Sequence, residues 1–165
     1  MTHGLNLTVA GFAAGWRRFA GLSRAERRLF LEAVAWLGIF RAAILVIPFR
    51  RLAPSLGAHM AETPSREEGG ERRKLAGEVA QAVHRASRHV PWASKCLVQA
   101  MAGKKMLRRR GVESTLYLGL AKSPDQDLQA HAWLRCGDRV ILGGGGLQRF
   151  AVVATFGPDG PGPRR

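Results

Sequence analysis

Two cysteines, Cys96 and Cys136, are all that this 165-residue chain contains. That is too few for a disulfide scaffold. Acidic side chains are also scarce, 12 against 26 basic ones, for a net charge of +14. A balance this basic calls for contact with something anionic: nucleic acid, a lipid surface or an acidic peptide. The excess is dispersed, with 8 basic and 2 acidic residues in 1–60 and 18 and 10 in 61–165. There is no helix-turn-helix pattern, zinc-finger spacing or aromatic-basic RNA-binding signature, so nucleic acid is not the expected partner. His84 and His89 do not combine with either cysteine at metal-ligand spacing, and neither a metal nor a cofactor is expected. The four glycines 143–146 lack the Lys-Ser/Thr and the following helix of a phosphate loop. They suit flexible or close-packed backbone beside a site instead.

Long uninterrupted apolar runs are missing too. Leu29 to Phe49 is strongly apolar, but Glu32 and Arg41 divide it into charge-free runs of 8 residues, Ala33–Phe40 and Ala42–Phe49. A membrane-crossing helix needs roughly 18 or more. The segment therefore suits a buried helix or one lying on a surface, and peripheral membrane contact is kept as an option. The first 20 residues mix Gly, Trp and Arg without the apolar stretch and cleavage site of a secretory signal. The expectation is a cytoplasmic protein with both thiols reduced.

What is present is 46% apolar residues, enough for a folded core. The pattern is helices first, then strands, without internal repeats. Ser23-Arg-Ala-Glu26 has capping-box spacing and opens an apolar helix that ends before Pro48. A short turn-rich stretch follows to Gly57. Residues 58–70, with Pro64, Gly69 and Gly70 among charges, read as a linker. Ser65-Arg-Glu-Glu68 offers a second capping box for a helix over 71–88, and Pro91 then breaks the chain. A third helix is predicted from Ser94 to Arg110, with Gly111 as its stop signal. Beyond Gly111 the period becomes alternating: Leu116, Leu118 and Leu120 face one way, Thr115, Tyr117 and Gly119 the other. Further strands are predicted over 129–136, 139–142 and 150–156, with Gly137-Asp138 as a hairpin turn. The fold class is α+β, an antiparallel meander following helices. The division is an N-terminal helical region at 1–60, a core at 61–157 and a disordered tail at 158–165.

Cys96 falls in the first turn of the third helix. Free N–H groups and the positive end of the helix dipole favour a thiolate there and can stabilise an oxyanion. Small buried core cysteines are equally common. His131 lies mid-strand in Leu128-Gln-Ala-His131-Ala-Trp-Leu, where burial gains a histidine nothing. Alternation puts His131, Trp133 and Arg135 on one face and Ala130, Ala132 and Leu134 on the other. Cys96 as nucleophile and His131 as general base make a coherent pair. Cys136, on the face opposite His131, reads as structural.

The stretches Trp92-Ala-Ser-Lys-Cys96-Leu-Val-Gln, Leu107-Arg-Arg-Arg-Gly111-Val, Leu118-Gly-Leu and Ala130-His131-Ala-Trp133 together resemble the lasso-peptide leader peptidases, the transglutaminase-like half of that pathway's B protein. Leu31-Glu-Ala-Val-Ala-Trp-Leu and Pro48-Phe49-Arg-Arg-Leu look like the N-terminal helices of stand-alone members, so the likeness covers about residues 25–156. It implies a transglutaminase/papain-like core with the cysteine at a helix start facing histidine on an antiparallel sheet. It also implies cleavage of a precursor peptide where leader joins core, with a threonine typically next to last in the leader. The partners implied are a leader-binding recognition protein and an ATP-dependent, asparagine-synthetase-like cyclase. Trp92 and Trp133 become the candidates beside the pair for oxyanion or substrate contact.

The chain departs from the pattern at the residue that should orient the histidine. Val140-Ile-Leu-Gly-Gly-Gly-Gly carries no carboxylate. Asp138 is the nearest acid downstream, but as a turn residue it stands about seven positions along the hairpin. Asp125 and Asp127 are weaker candidates, Gln148 is an amide candidate, and a backbone carbonyl is the remaining possibility. Two other functions compete: acyl transfer to an amine by the same Cys–His pair, and a non-catalytic basic scaffold at a membrane.

Overall fold

The computed structural model describes residues 21–122 and 127–158. The N-terminal 20 residues, residues 123–126 of the polar loop (with Asp125), and residues 159–165 of the expected tail lie outside that range.

Helix α1 spans Arg24–Val46. The Ser23 hydroxyl accepts from Glu26 N–H at 3.2 Å, and the Glu26 carboxylate accepts from Ser23 N–H at 2.9 Å. This is the capping box read from the sequence, and it satisfies two of the helix's orphan donors. Leu29, Ala33 and Leu37 recur at helical spacing and are buried. They pack into a core shared with the later helices and the sheet. Glu32 ties α1 to the end of another helix through Arg110 and Arg109.

A one-turn helix α2, Phe49–Leu52, runs into a 3₁₀ turn, Ala53–Leu56. Of residues 58–70, expected as a linker, Gly70 opens the next helix, and 58–69 instead cross the end of the sheet and bond to it. Met60 N–H donates to Thr155 O, Thr63 N–H to Thr115 Oγ1, and the Arg135 guanidinium to Thr63 O. Arg135 is buried on this strap and also donates to Tyr117 Oη, Gly137 O and Glu62. Helix α3, Gly70–Ser87, starts with Gly69 as its N-cap. The capping box expected at Ser65 is not formed, because Glu67 and Glu68 reach forward to Arg73 and Arg72.

Helix α4, Cys96–Arg108, is the central helix. It packs against α1, α3 and the sheet. A Cβ on Gly103 would lie 2.5 Å from Leu142 Cδ1 and 3.0 Å from Leu134 Cδ2, so the glycine permits the close approach. Near its C-terminal end the buried Lys104 ammonium donates to the carbonyls of Ser114, Phe156 and Gly157 at 2.6, 3.0 and 3.1 Å. A buried ammonium is tolerated only with such partners.

Four antiparallel strands follow: β1 Thr115–Lys122, β2 Leu128–Cys136, β3 Arg139–Leu142 and β4 Ala151–Phe156. Their order is β3-β2-β1-β4. The first three form the expected meander, while β4 pairs with β1 at the opposite edge. The chain between Gly143 and Phe150 must therefore cross β2 and β1. One face of the sheet presents Leu116, Ala132, Leu134, Cys136 and Leu142 to the helices. The other carries Tyr117, Gly119, His131, Trp133 and Arg135, with Gly119 directly opposite His131. Mixed helices and an antiparallel sheet make the fold α+β.

Candidate active site

Cys96 is the first residue of α4, with Lys95 as an extended N-cap (φ −68°, ψ 168°) and no side chain capping the end. Ser94, where the sequence starts this helix, lies one residue too early to cap it. Its Oγ is buried without a hydrogen-bond partner among the described residues, while its carbonyl accepts from Gln99 Nε2. The first-turn N–H groups have no intrahelical acceptor. Cys96 itself is only partly buried. An uncapped helix start of this kind can receive a developing oxyanion.

Helix α4 packs on the sheet, and Lys104 near its end bonds to Ser114 just before β1. His131 projects from the face that α4 does not cover. The 143–150 crossover holds it: the ring stacks on Phe150 at 4.8 Å between centroids and on Trp133 at 6.0 Å. Nε2 lies 2.8 Å from Gly143 O. A carbonyl can only accept, so Nε2 carries the proton, and in the neutral imidazole Nδ1 is left with its lone pair. Gly119 makes room for this stack, since a Cβ there would fall 2.8 Å from Trp133 and 3.0 Å from Phe150. No hydrogen bond joins Cys96 to His131 in this structure.

The remaining sequence candidates are placed elsewhere. Asp138 is exposed in the β2–β3 turn, at the opposite end of β2 from His131, and the structure does not bring it to the imidazole. Asp127 and Gln148 are exposed and make no bond to His131. Trp92 packs its indole against Gly38 of α1, 3.3 Å from where a Cβ would be, and its Nε1 is buried without a partner among the described residues. Trp133 is buried, sandwiched between His131 and the parallel ring of Tyr117. Sequence reading set the glycines 143–146 beside a site without giving Gly143 a role, and it missed Phe150 and Gly119. The glycine run was the signal: Gly143 has φ +72°, and a Cβ would lie 2.4 Å from Ala132 O.

The second cysteine differs sharply from the first. Cys136 is buried on the helix-facing side, its thiol donating to Glu113 O at 3.5 Å. Burial first, and Glu68 second, push that thiol up to about 11 from an ordinary 9.0. A raised thiol contributes stability that is complete below its unfolded value and is lost as pH rises through the folded one. The wild-type melting temperature is therefore expected to fall more steeply between pH 9.0 and about 11 than that of Cys136→Ser. Parallel melting curves across that range would contradict this placement.

A family model described as the transglutaminase-like superfamily matches residues 43–155. The span takes in both Cys96 and His131. No curated protein and no solved structure is matched. Such a domain fits a cysteine protease or an acyltransferase in general, two chemistries that share a thioester on cysteine. With a match over more than half its length, the chain belongs to the transglutaminase-like superfamily.

Proposed function

We propose that this protein is a cysteine endopeptidase that removes the leader from a lasso-peptide precursor, with Cys96 as nucleophile and His131 as base. The observation that carries the reading is the held imidazole. Its Nε2–H is committed to Gly143 O at 2.8 Å, which leaves Nδ1 as the basic nitrogen. A backbone carbonyl then does the orienting work that a carboxylate does in related sites. The sequence motifs around Cys96 and His131 supply the substrate class.

In this mechanism the Cys96 sulfur attacks the carbonyl carbon of the last leader residue. The first-turn N–H groups of α4 stabilise the oxyanion, and His131 Nδ1 takes the thiol proton. The C–N bond breaks, the proton passes to the departing amine of the core peptide, and the leader remains as a thioester. Water activated by His131 then releases the leader acid and restores the thiol. The Cys96 thiol and the His131 imidazole share no hydrogen bond in this structure, and His131 stands on the face of the sheet that α4 does not cover, so the mechanism requires a rearrangement on substrate binding that brings Nδ1 to the sulfur.

A leader-binding protein would present the precursor, and an asparagine-synthetase-like cyclase would close the ring afterwards. Cleavage of a leader–core peptide, with threonine next to last in the leader, tests this by mass spectrometry. A single cut at the junction is expected. The leader-binding protein should accelerate it by raising local substrate concentration, an effect that can reach about 100-fold. The rate should fall between low and physiological salt as exposed charges are screened. No cut at the junction with both proteins present would overturn the assignment.

A further inference from the structure

Helix α1 leaves a long apolar face without cover among the described residues. Leu31, Ile39, Leu45 and Val46 are 57%, 52%, 67% and 77% exposed. At about 100° per residue they share one side of the helix, opposite the buried Leu29, Ala33 and Leu37. The same spacing brings Arg24 and Arg28, both exposed, into line with this stripe one to two turns before Leu31. At the other end the exposed Ile47 and Phe49 lead into exposed Arg50 and Arg51. The two acids of α1 are engaged elsewhere, Glu26 in its capping box and Glu32 on Arg109 and Arg110. The stripe is thus apolar along its length, basic at both ends and free of available carboxylates, on a chain of net charge +14.

We infer that α1 docks this protein onto an anionic lipid surface, lying in the interface with Leu31, Ile39, Leu45 and Val46 among the acyl chains and the terminal arginines on the headgroups. α1 is the one described helix long and apolar enough to cross a membrane. Crossing would strip Leu29, Ala33 and Leu37 from the core and carry the Glu32–Arg110 pair into hydrocarbon, so the helix lies flat. Apolar contact and headgroup attraction act together in such interfacial helices. The inference is independent of the assignment of Cys96 and His131.

Co-sedimentation of the full chain with vesicles tests it. Binding is expected to phosphatidylcholine vesicles containing phosphatidylserine and not to phosphatidylcholine alone. Arg24→Gln with Arg28→Gln should weaken the partition roughly 20- to 30-fold, since each basic residue near such a surface contributes about fivefold. Leu31→Ser, Ile39→Ser and Leu45→Ser together should reduce binding to background, while circular dichroism stays that of the wild type because all three side chains are exposed. Absence of binding to the anionic vesicles would overturn the inference, as would unchanged binding by the triple serine variant. A wild-type dimer that the serine variant converts to monomer, without lipid binding, would give the stripe to a second copy and overturn it as well.

Discussion

Alanine in place of Cys96 is expected to abolish precursor cleavage while leaving the fold intact. The proposed chemistry needs a sulfur at this position, because its first covalent step is attack on the leader carbonyl. Loss of the nucleophile in enzymes of this mechanistic kind costs on the order of 10⁶-fold in turnover. The fold has little at stake. Cys96 is only partly buried, and alanine is the best helix former available for the first position of α4. The control is Cys136→Ser, which should retain most activity, since that thiol is buried on the helix-facing side of the sheet. Near-normal cleavage by Cys96→Ala, with circular dichroism unchanged, would overturn the proposed nucleophile.

His131→Ala should follow with the second largest loss. General-base catalysis is worth about 100- to 10,000-fold. In the double variant with Cys96→Ala the loss should hardly exceed that of either single change, because members of one catalytic unit are not additive. A second readout separates orientation from mere packing. In the ¹⁵N spectrum of the neutral ring, Nε2 should report as the protonated nitrogen, as its bond to Gly143 O requires. Additive losses, or a ring protonated at Nδ1, would argue against the role given to His131.

Local chemistry was legible in the sequence wherever the structure depends on near neighbours. The Ser23–Glu26 capping box involves residues three apart, and it forms. Helix-to-strand order and the sheet alternation around His131 are likewise properties of short windows, and both hold. Where distant partners decide, the reading went astray. Ser65-Arg-Glu-Glu68 has the spacing of a cap, yet this stretch follows a strap fixed by Thr63 and Arg135, and its two glutamates are taken by Arg72 and Arg73. A strand pattern names no neighbour, so the pairing of β4 with β1 at the far edge could not be read from Phe150–Phe156.

The site shows the same division. Cys96 and His131 carry side-chain signals and could be proposed from the sequence. The partner of the imidazole is a main-chain carbonyl, which every residue has and no sequence advertises. Only the glycines hinted at it, since positive φ and a carbonyl 2.4 Å from the missing Cβ allow nothing larger at Gly143. Asp138, the nearest acid downstream, is held by the turn at the wrong end of β2, and a backbone carbonyl, the remaining possibility in the sequence, is what the imidazole meets.

The central claim is that Cys96 carries the leader as a thioester. It is tested most directly by mixing the protein with a leader–core precursor, quenching in acid within the first turnovers and weighing the intact protein. The account predicts a population heavier by the mass of the leader less one water, mapped by peptide sequencing to Cys96, lost on mild hydroxylamine treatment and absent from Cys96→Ala. Cleavage at the junction without such an adduct, or with the adduct on Cys136, would contradict it.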